Sequence, residues 1–127
     1  MRLVLVRHAD AAPGSPDELR TLTAEGREQA RALGERLQAE GIEADAVLSS
    51  PLLRARETAV ALGLGEPEAD DRLAPGATAE SVREAIAGRG ETVVVVGHQP
   101  DCGQVAASLT GGEEPRFPPA GVVVIKL

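Results

Sequence analysis

The sequence predicts an α/β sandwich of three layers, a mainly parallel central sheet with helices on both faces. Two observations predict it. Four apolar runs, "RLVLV" (2–6), "DAVLS" (45–49), "TVVVV" (92–96) and "GVVVIKL" (121–127), are continuous rather than alternating, as in strands covered on both sides. Helical patterns separate the first three, and alternation of strand with helix builds a parallel sheet.

Each element has its own signals. After the first strand, "AEGREQARALGERLQAE" (24–40) reads as a helix, with Thr23 as N-cap and Ala30, Leu33 and Leu37 on one face. Gly41 stops it. After the second strand, "SPLLRARETAVALG" predicts a helix with Ser50 as N-cap, Pro51 at the first helical position and Gly63 past the end. A third helix, over 79–87, follows Thr78 and turns Val82, Ala85 and Ile86 inward. A fourth begins near Pro100 and carries Val105, Ala106 and Leu109. The stretches 11–22 and 64–77, with Gly, Pro and acidic residues, are expected as long loops, the kind of segment that carries function.

The chain has 127 residues, 43% of them apolar, which predicts one domain spanning 1–127 around one core. Phe117 is the sole aromatic residue, so no platform exists for stacking nucleic-acid bases. Thirteen basic against twenty acidic residues leave a net charge of −7. Such a surface repels phosphate backbones and anionic lipid, so neither nucleic acid nor membrane is an expected partner. Cys102 stands alone, which excludes an internal disulfide framework and a cysteine-rich zinc site. No segment approaches the roughly 20 apolar residues of a membrane span, and a cytoplasmic location is expected.

Ligands of open α/β sheets bind beyond the carboxyl ends of the strands. The first strand ends in Arg7-His8, the second in Ser49-Ser50-Pro51 with Arg54 a turn into the next helix, and the third in "VGHQP" with His98. A lone histidine after a strand reads as solvated or as a satisfied core group. His8 and His98 are the only two in the chain, and both follow apolar runs in separate strand–helix units. Two imidazoles among arginines suit an anion better than a metal, because guanidinium repels a divalent cation and no acidic ligand accompanies both histidines. Guanidinium forks and free N–H groups at a helix start match a phosphoryl group.

These residues carry a resemblance. "RHAD", "SSPLLRARETA" and "VVGHQP", in that order, resemble the histidine phosphatase superfamily, the phosphoglycerate-mutase-like proteins. The short length and "LRTLTAEG" look most like the SixA-type phosphohistidine phosphatases. The resemblance implies that His8 accepts a phosphoryl group, which requires a neutral imidazole. It implies that Arg7 and Arg54 grip the phosphoryl oxygens, that His98 donates to them, and that Arg20 lies near the phosphate. No metal and no other cofactor are implied.

One departure bears on substrate. Larger mutases and phosphomonoesterases carry a glutamate general acid in the third-quarter loop, where this chain reads "DDRLAPGAT" with Pro75 in the corresponding place. A phosphomonoester needs that proton donor, worth roughly 10²–10⁴-fold, whereas a phosphohistidine can lose a protonated imidazole without it. Asp10 is a candidate substitute acid. The expected substrate is therefore phosphohistidine on a signalling protein. The alternatives are a small phosphorylated metabolite or a phosphate-binding module without turnover. Ser49 and Ser50 could donate to phosphate, with capping the expected task of Ser50. Arg56 and Glu57 are expected at the surface, and Cys102 as a small packed residue.

Overall fold

A computed structural model describes all residues from Met1 to Leu127. In chain order the elements are β1 (Arg2–Arg7), α1 (Ala24–Ala39), β2 (Ala46–Ser49), α2 (Leu53–Leu62), β3 (Pro67–Ala69), α3 (Ala79–Ile86), β4 (Thr92–Gly97), α4 (Asp101–Thr110) and β5 (Val122–Lys126). One sheet holds the strands in the order β3-β2-β4-β1-β5. All neighbours pair in parallel except β1 and β5, which are antiparallel.

Alternation along the strands builds the three layers. Successive side chains of a strand point to opposite faces. Leu3 and Leu5 of β1, with Val93 and Val95 of β4, pack against Val82, Ala85 and Ile86 of α3 and Val105 and Ala106 of α4. Val4, Val6, Val94 and Val96 turn the other way, onto Leu33 and Leu37 of α1 and Ala55, Ala59 and Leu62 of α2. Both faces of β1 and β4 are thus covered, which is why their sequences are apolar without alternation. Full burial of each valine or leucine contributes about 1.5–3 kcal/mol.

The helix boundaries follow local chemistry with one exception. Thr23 caps α1 by accepting the Gly26 N–H at 2.9 Å, and Gly63 closes α2 in the left-handed region at φ 67°. Thr78 and Ser81 form a reciprocal capping box on α3. Within α1, Gly34 lets the helix press on α2, because a Cβ there would strike the Leu62 backbone. The exception is the start of α2, where Ser50 is not the N-cap and Pro51 is not the first helical residue. The residue before the helix is Leu52, and the Ser50 N–H is still held by the Val96 carbonyl at 3.0 Å. Strand pairing with β4 extends past Ser49 and delays the helix.

The segment 64–77 is not all loop. It holds β3 at the sheet edge and a 3₁₀ turn over Asp71–Leu73. Three residues led by a proline carry no strand pattern, and an edge position is where proline is tolerated. The segment 11–22 likewise contains a 3₁₀ turn, Asp17–Leu19, and its ends meet in a bridge between Ala11 and Leu22. No helix is long and apolar enough to cross a membrane.

Candidate active site

Parallel register brings three strand ends to one edge. Arg7 lies opposite Gly97, and Ser49 opposite Val96. The ladder runs one residue further, with the His8 N–H donating to the Gly97 carbonyl at 2.9 Å. His8 and His98 therefore emerge side by side, their ring centroids 5.2 Å apart and tilted by 60°.

The hydrogen bonds of His8 assign its tautomer. Nδ1 lies 2.7 Å from the Ala9 carbonyl oxygen, which can only accept, so Nδ1 carries the proton. The neutral ring then has its lone pair on Nε2. Burial lowers the pKa of His8 from 6.5, against the Ala9 hydrogen bond, with help from the charges of Arg54, Arg7 and Arg20. His98 is only 5% exposed, and burial brings its pKa down to about 4, aided by His8 and Arg54. Its Nε2 lies 2.8 Å from Ser50 Oγ. Both rings are thus neutral at pH 7.

Two guanidinium groups complete the pocket. Arg7 Nη1 donates to the Phe117 carbonyl at 2.9 Å, in the segment leading to β5. Arg54, in the first turn of α2 and 7% exposed, donates from Nη1 to the Asp17 carbonyl at 2.9 Å and from Nη2 to Asp17 Oδ2 at 3.2 Å. The Nε–H groups of these same two arginines are the buried side-chain donors without a partner. Unpaired buried donors cost about 1–3 kcal/mol each, and an anion of suitable shape satisfies them. No group of three or more His, Cys, Asp or Glu side chains is assembled to hold a metal ion.

The other expected residues are placed as follows. Arg20 donates from Nε to the Ala12 carbonyl at 2.8 Å and from Nη1 to Asp17 Oδ1 at 3.2 Å, close enough for its charge to act on His8. Asp10 accepts from the Thr23 hydroxyl at 2.8 Å and takes the Thr23 N–H on its carbonyl, tying the end of the first motif to α1. Its carboxylate hydrogen-bonds to that cap and to no arginine or imidazole. Ser49 is fully buried and donates to the Ser50 carbonyl. Cys102 is packed in the core, where burial and the Asp101 charge push its thiol up to about 12.

Four positions have a larger part than the sequence suggested. Ser50 meets His98 instead of capping a helix. Glu57, expected at the surface, is half-buried and accepts from the Thr21 hydroxyl at 2.6 Å and the Leu22 N–H at 2.8 Å. It fastens the end of the 11–22 segment to α2, one turn past Arg54. Thr58, four residues after Arg54, accepts the Ala9 N–H at 3.0 Å and donates to the Arg54 carbonyl. Its spacing from Arg54 is the one signal that could have found it. Asp17 lies in an acidic stretch with no motif, and nothing local distinguishes it from Glu18.

Comparison with known proteins gives the family of the chain. Residues 3–77 match the model of the histidine phosphatase superfamily, branch 1. The chain is 32% identical to the phosphohistidine phosphatase SixA of Escherichia coli, over 91% of this chain and 78% of that one. It is 36% identical to an uncharacterised protein of Picosynechococcus, over 89% and 75% respectively. The solved structure of the protein histidine phosphatase SixA complexed with tungstate superposes with a TM-score of 0.91 at 29% identity, covering 100% of this chain and 88% of that one. Family model, relatives and fold converge on phosphatase chemistry through a histidine: the chain belongs to the histidine phosphatase superfamily.

Proposed function

We propose that the protein is a metal-independent phosphohistidine phosphatase in which His8 Nε2 is the nucleophile. The observation that carries this reading is the Nδ1–H of His8 held on the Ala9 carbonyl, which leaves Nε2 free beside Arg7, Arg54 and His98. Phosphoryl transfer asks little covalent chemistry of a protein and much positioning and charge. Arg7 and Arg54 supply the charge, each from a rigid element, β1 and α2. His98, its ring centroid 5.2 Å from that of His8, donates a hydrogen bond to the phosphoryl oxygens. Arg20 adds a third guanidinium at the entrance.

The reaction runs in two steps. The Nε2 lone pair forms a bond to phosphorus as the bond to the leaving group breaks, giving phosphorylated His8. Water then attacks phosphorus, the P–N bond to His8 returns its electron pair to Nε2, and inorganic phosphate departs. Pro75 stands where the larger relatives of the family carry an acid, and the Asp10 carboxylate is engaged with Thr23. A substrate that leaves as imidazole fits such a site better than one that leaves as alkoxide. A phosphohistidine-bearing protein of a cytoplasmic signalling system is the substrate class that follows.

The test offers the purified protein a phosphohistidine protein and a panel of phosphomonoesters, with acid-free trapping of label on the enzyme. Faster turnover of the phosphohistidine protein, with label on wild type and none on His8→Ala, is expected. Preferential turnover of the panel returns the assignment to a phosphomonoesterase. No turnover of any substrate leaves a phosphate-binding module.

A further inference from the structure

The proposed reaction leaves one charged group at the site without a task. Asp17 takes both ends of the Arg54 fork, one on its carbonyl and one on Oδ2, and its other carboxylate oxygen takes Arg20. It belongs to no motif. Its side chain is 59% exposed, whereas Arg54 beneath it is 8% exposed, so the carboxylate stands between the buried guanidinium and solvent. The charge of Asp17 also reaches His98.

We propose that Asp17 selects the substrate: its carboxylate favours a leaving group that carries positive charge, a phosphorylated imidazole, and disfavours esters that leave as alkoxides. This inference rests on the phosphohistidine reading above. Displacement at phosphorus is in line, so the leaving group departs on the side away from His8, and the proposal puts Asp17, on the solvent side of Arg54, within its reach. The two arginines hold the carboxyl below the usual carboxylate range, so Asp17 remains an anion and cannot serve as a proton donor.

A fixed anion treats the two substrate classes oppositely. A phosphohistidine ring protonated on its far nitrogen is a cation, and that N–H can donate to the Asp17 carboxylate. As the bond from His8 Nε2 to phosphorus forms, the P–N pair returns to the leaving nitrogen. The substrate ring departs as neutral imidazole, and the positive charge moves onto the phosphorylated ring of His8. No proton is transferred in that step, so no general acid is needed, which agrees with Pro75 in the place of one. An alkoxide would build negative charge beside the same carboxylate, and nothing nearby would protonate it.

The experiment compares kcat/KM for phosphoimidazole and for phenyl phosphate in wild type, Asp17→Asn and Asp17→Glu. Loss of a charge-assisted hydrogen bond predicts that Asp17→Asn lowers the phosphoimidazole-to-phenyl-phosphate ratio roughly tenfold or more. The alkaline limb of the kcat profile for phosphoimidazole, which reports the bound ring, moves to lower pH in the same variant, and Asp17→Glu keeps the wild-type preference. An unchanged ratio, with both substrates losing rate together, means that Asp17 only holds Arg54 in place and overturns the inference alone. A wild-type protein that hydrolyses phenyl phosphate and leaves phosphoimidazole and phosphohistidine intact overturns the functional reading, and this inference with it.

Discussion

At the scale of the residue, the strand-end cluster leaves two buried donors, Arg7 Nε–H and Arg54 Nε–H, without partners. Arg54 is buried with both ends of its fork resting on exposed Asp17, and its Nε–H is the donor left free to meet an anion. Replacing Arg54 by Lys keeps a charge and loses the fork. Turnover should fall roughly 10²–10³-fold, the usual cost of removing one preorganised donor, with near-wild-type thermal unfolding. Steady-state kinetics beside a melting curve checks both halves. For His8, a titration followed by NMR should place the midpoint below the ordinary 6.5, because burial and three arginines oppose the cation. A midpoint above 6.5 would contradict a neutral nucleophile at pH 7.

At the scale of the element, the 11–22 segment matters most, since it delivers Asp17 and Arg20. Its middle rests on Arg54 through Asp17, and its ends are fastened by Thr23 with Asp10 at the start of α1 and by Glu57 on α2. Glu57→Ala removes the Oε1 that accepts from both Thr21 and Leu22, and the Arg27 ion pair on Oε2, at once. Hydrogen exchange at the Leu22 amide should rise sharply, and activity should fall through a raised KM, while exchange in β1 and β4 stays slow. Unaltered exchange at Leu22 would show that the bridge with Ala11 suffices. Within α1, Gly34→Ala forces a Cβ into the Leu62 backbone. The gain in helix propensity is about 1 kcal/mol, and overpacking against backbone costs more, about 1–3 kcal/mol, so net destabilisation in urea is expected.

At the scale of the whole molecule, burial of His98 ties stability to pH. Its pKa is about 4 in the folded protein against 6.5 for the ordinary imidazole. Between these values the unfolded chain binds the proton and the folded protein does not, so acid favours unfolding there. The contribution of the neutral buried ring is complete above pH 6.5 and is lost progressively as pH falls to about 4, amounting to about 3 kcal/mol. Urea unfolding across that window should show the decline, and His98→Gln should flatten it. An equal slope in the variant would place the titrating group elsewhere.

The layered fold was legible in the sequence because burial on both faces writes an unbroken apolar run, as in "TVVVV", and because Thr23, Thr78 and Gly63 announce helix ends by local chemistry. The pairing of His8 with His98 was legible for a related reason: parallel strands share a carboxyl edge, so residues that end two such runs meet. Three kinds of feature were not. β3 is too short and too polar to carry a period. Ser50 looked like a cap because its tie to β4 lies 46 residues away in sequence, at Val96. Glu57 and Asp17 acquire their partners across distances of 35 and 37 residues, and a carboxylate in an acidic chain bears no mark of the guanidinium or amide it will meet. Hydrophobic pattern and local capping were enough for the longer elements, the layers and the meeting of the two imidazoles. Only the tertiary structure decided which nitrogen of His8 is free, what Ser50 serves and where Asp17 rests, because hydrogen bonds and charge pairs depend on distance in space.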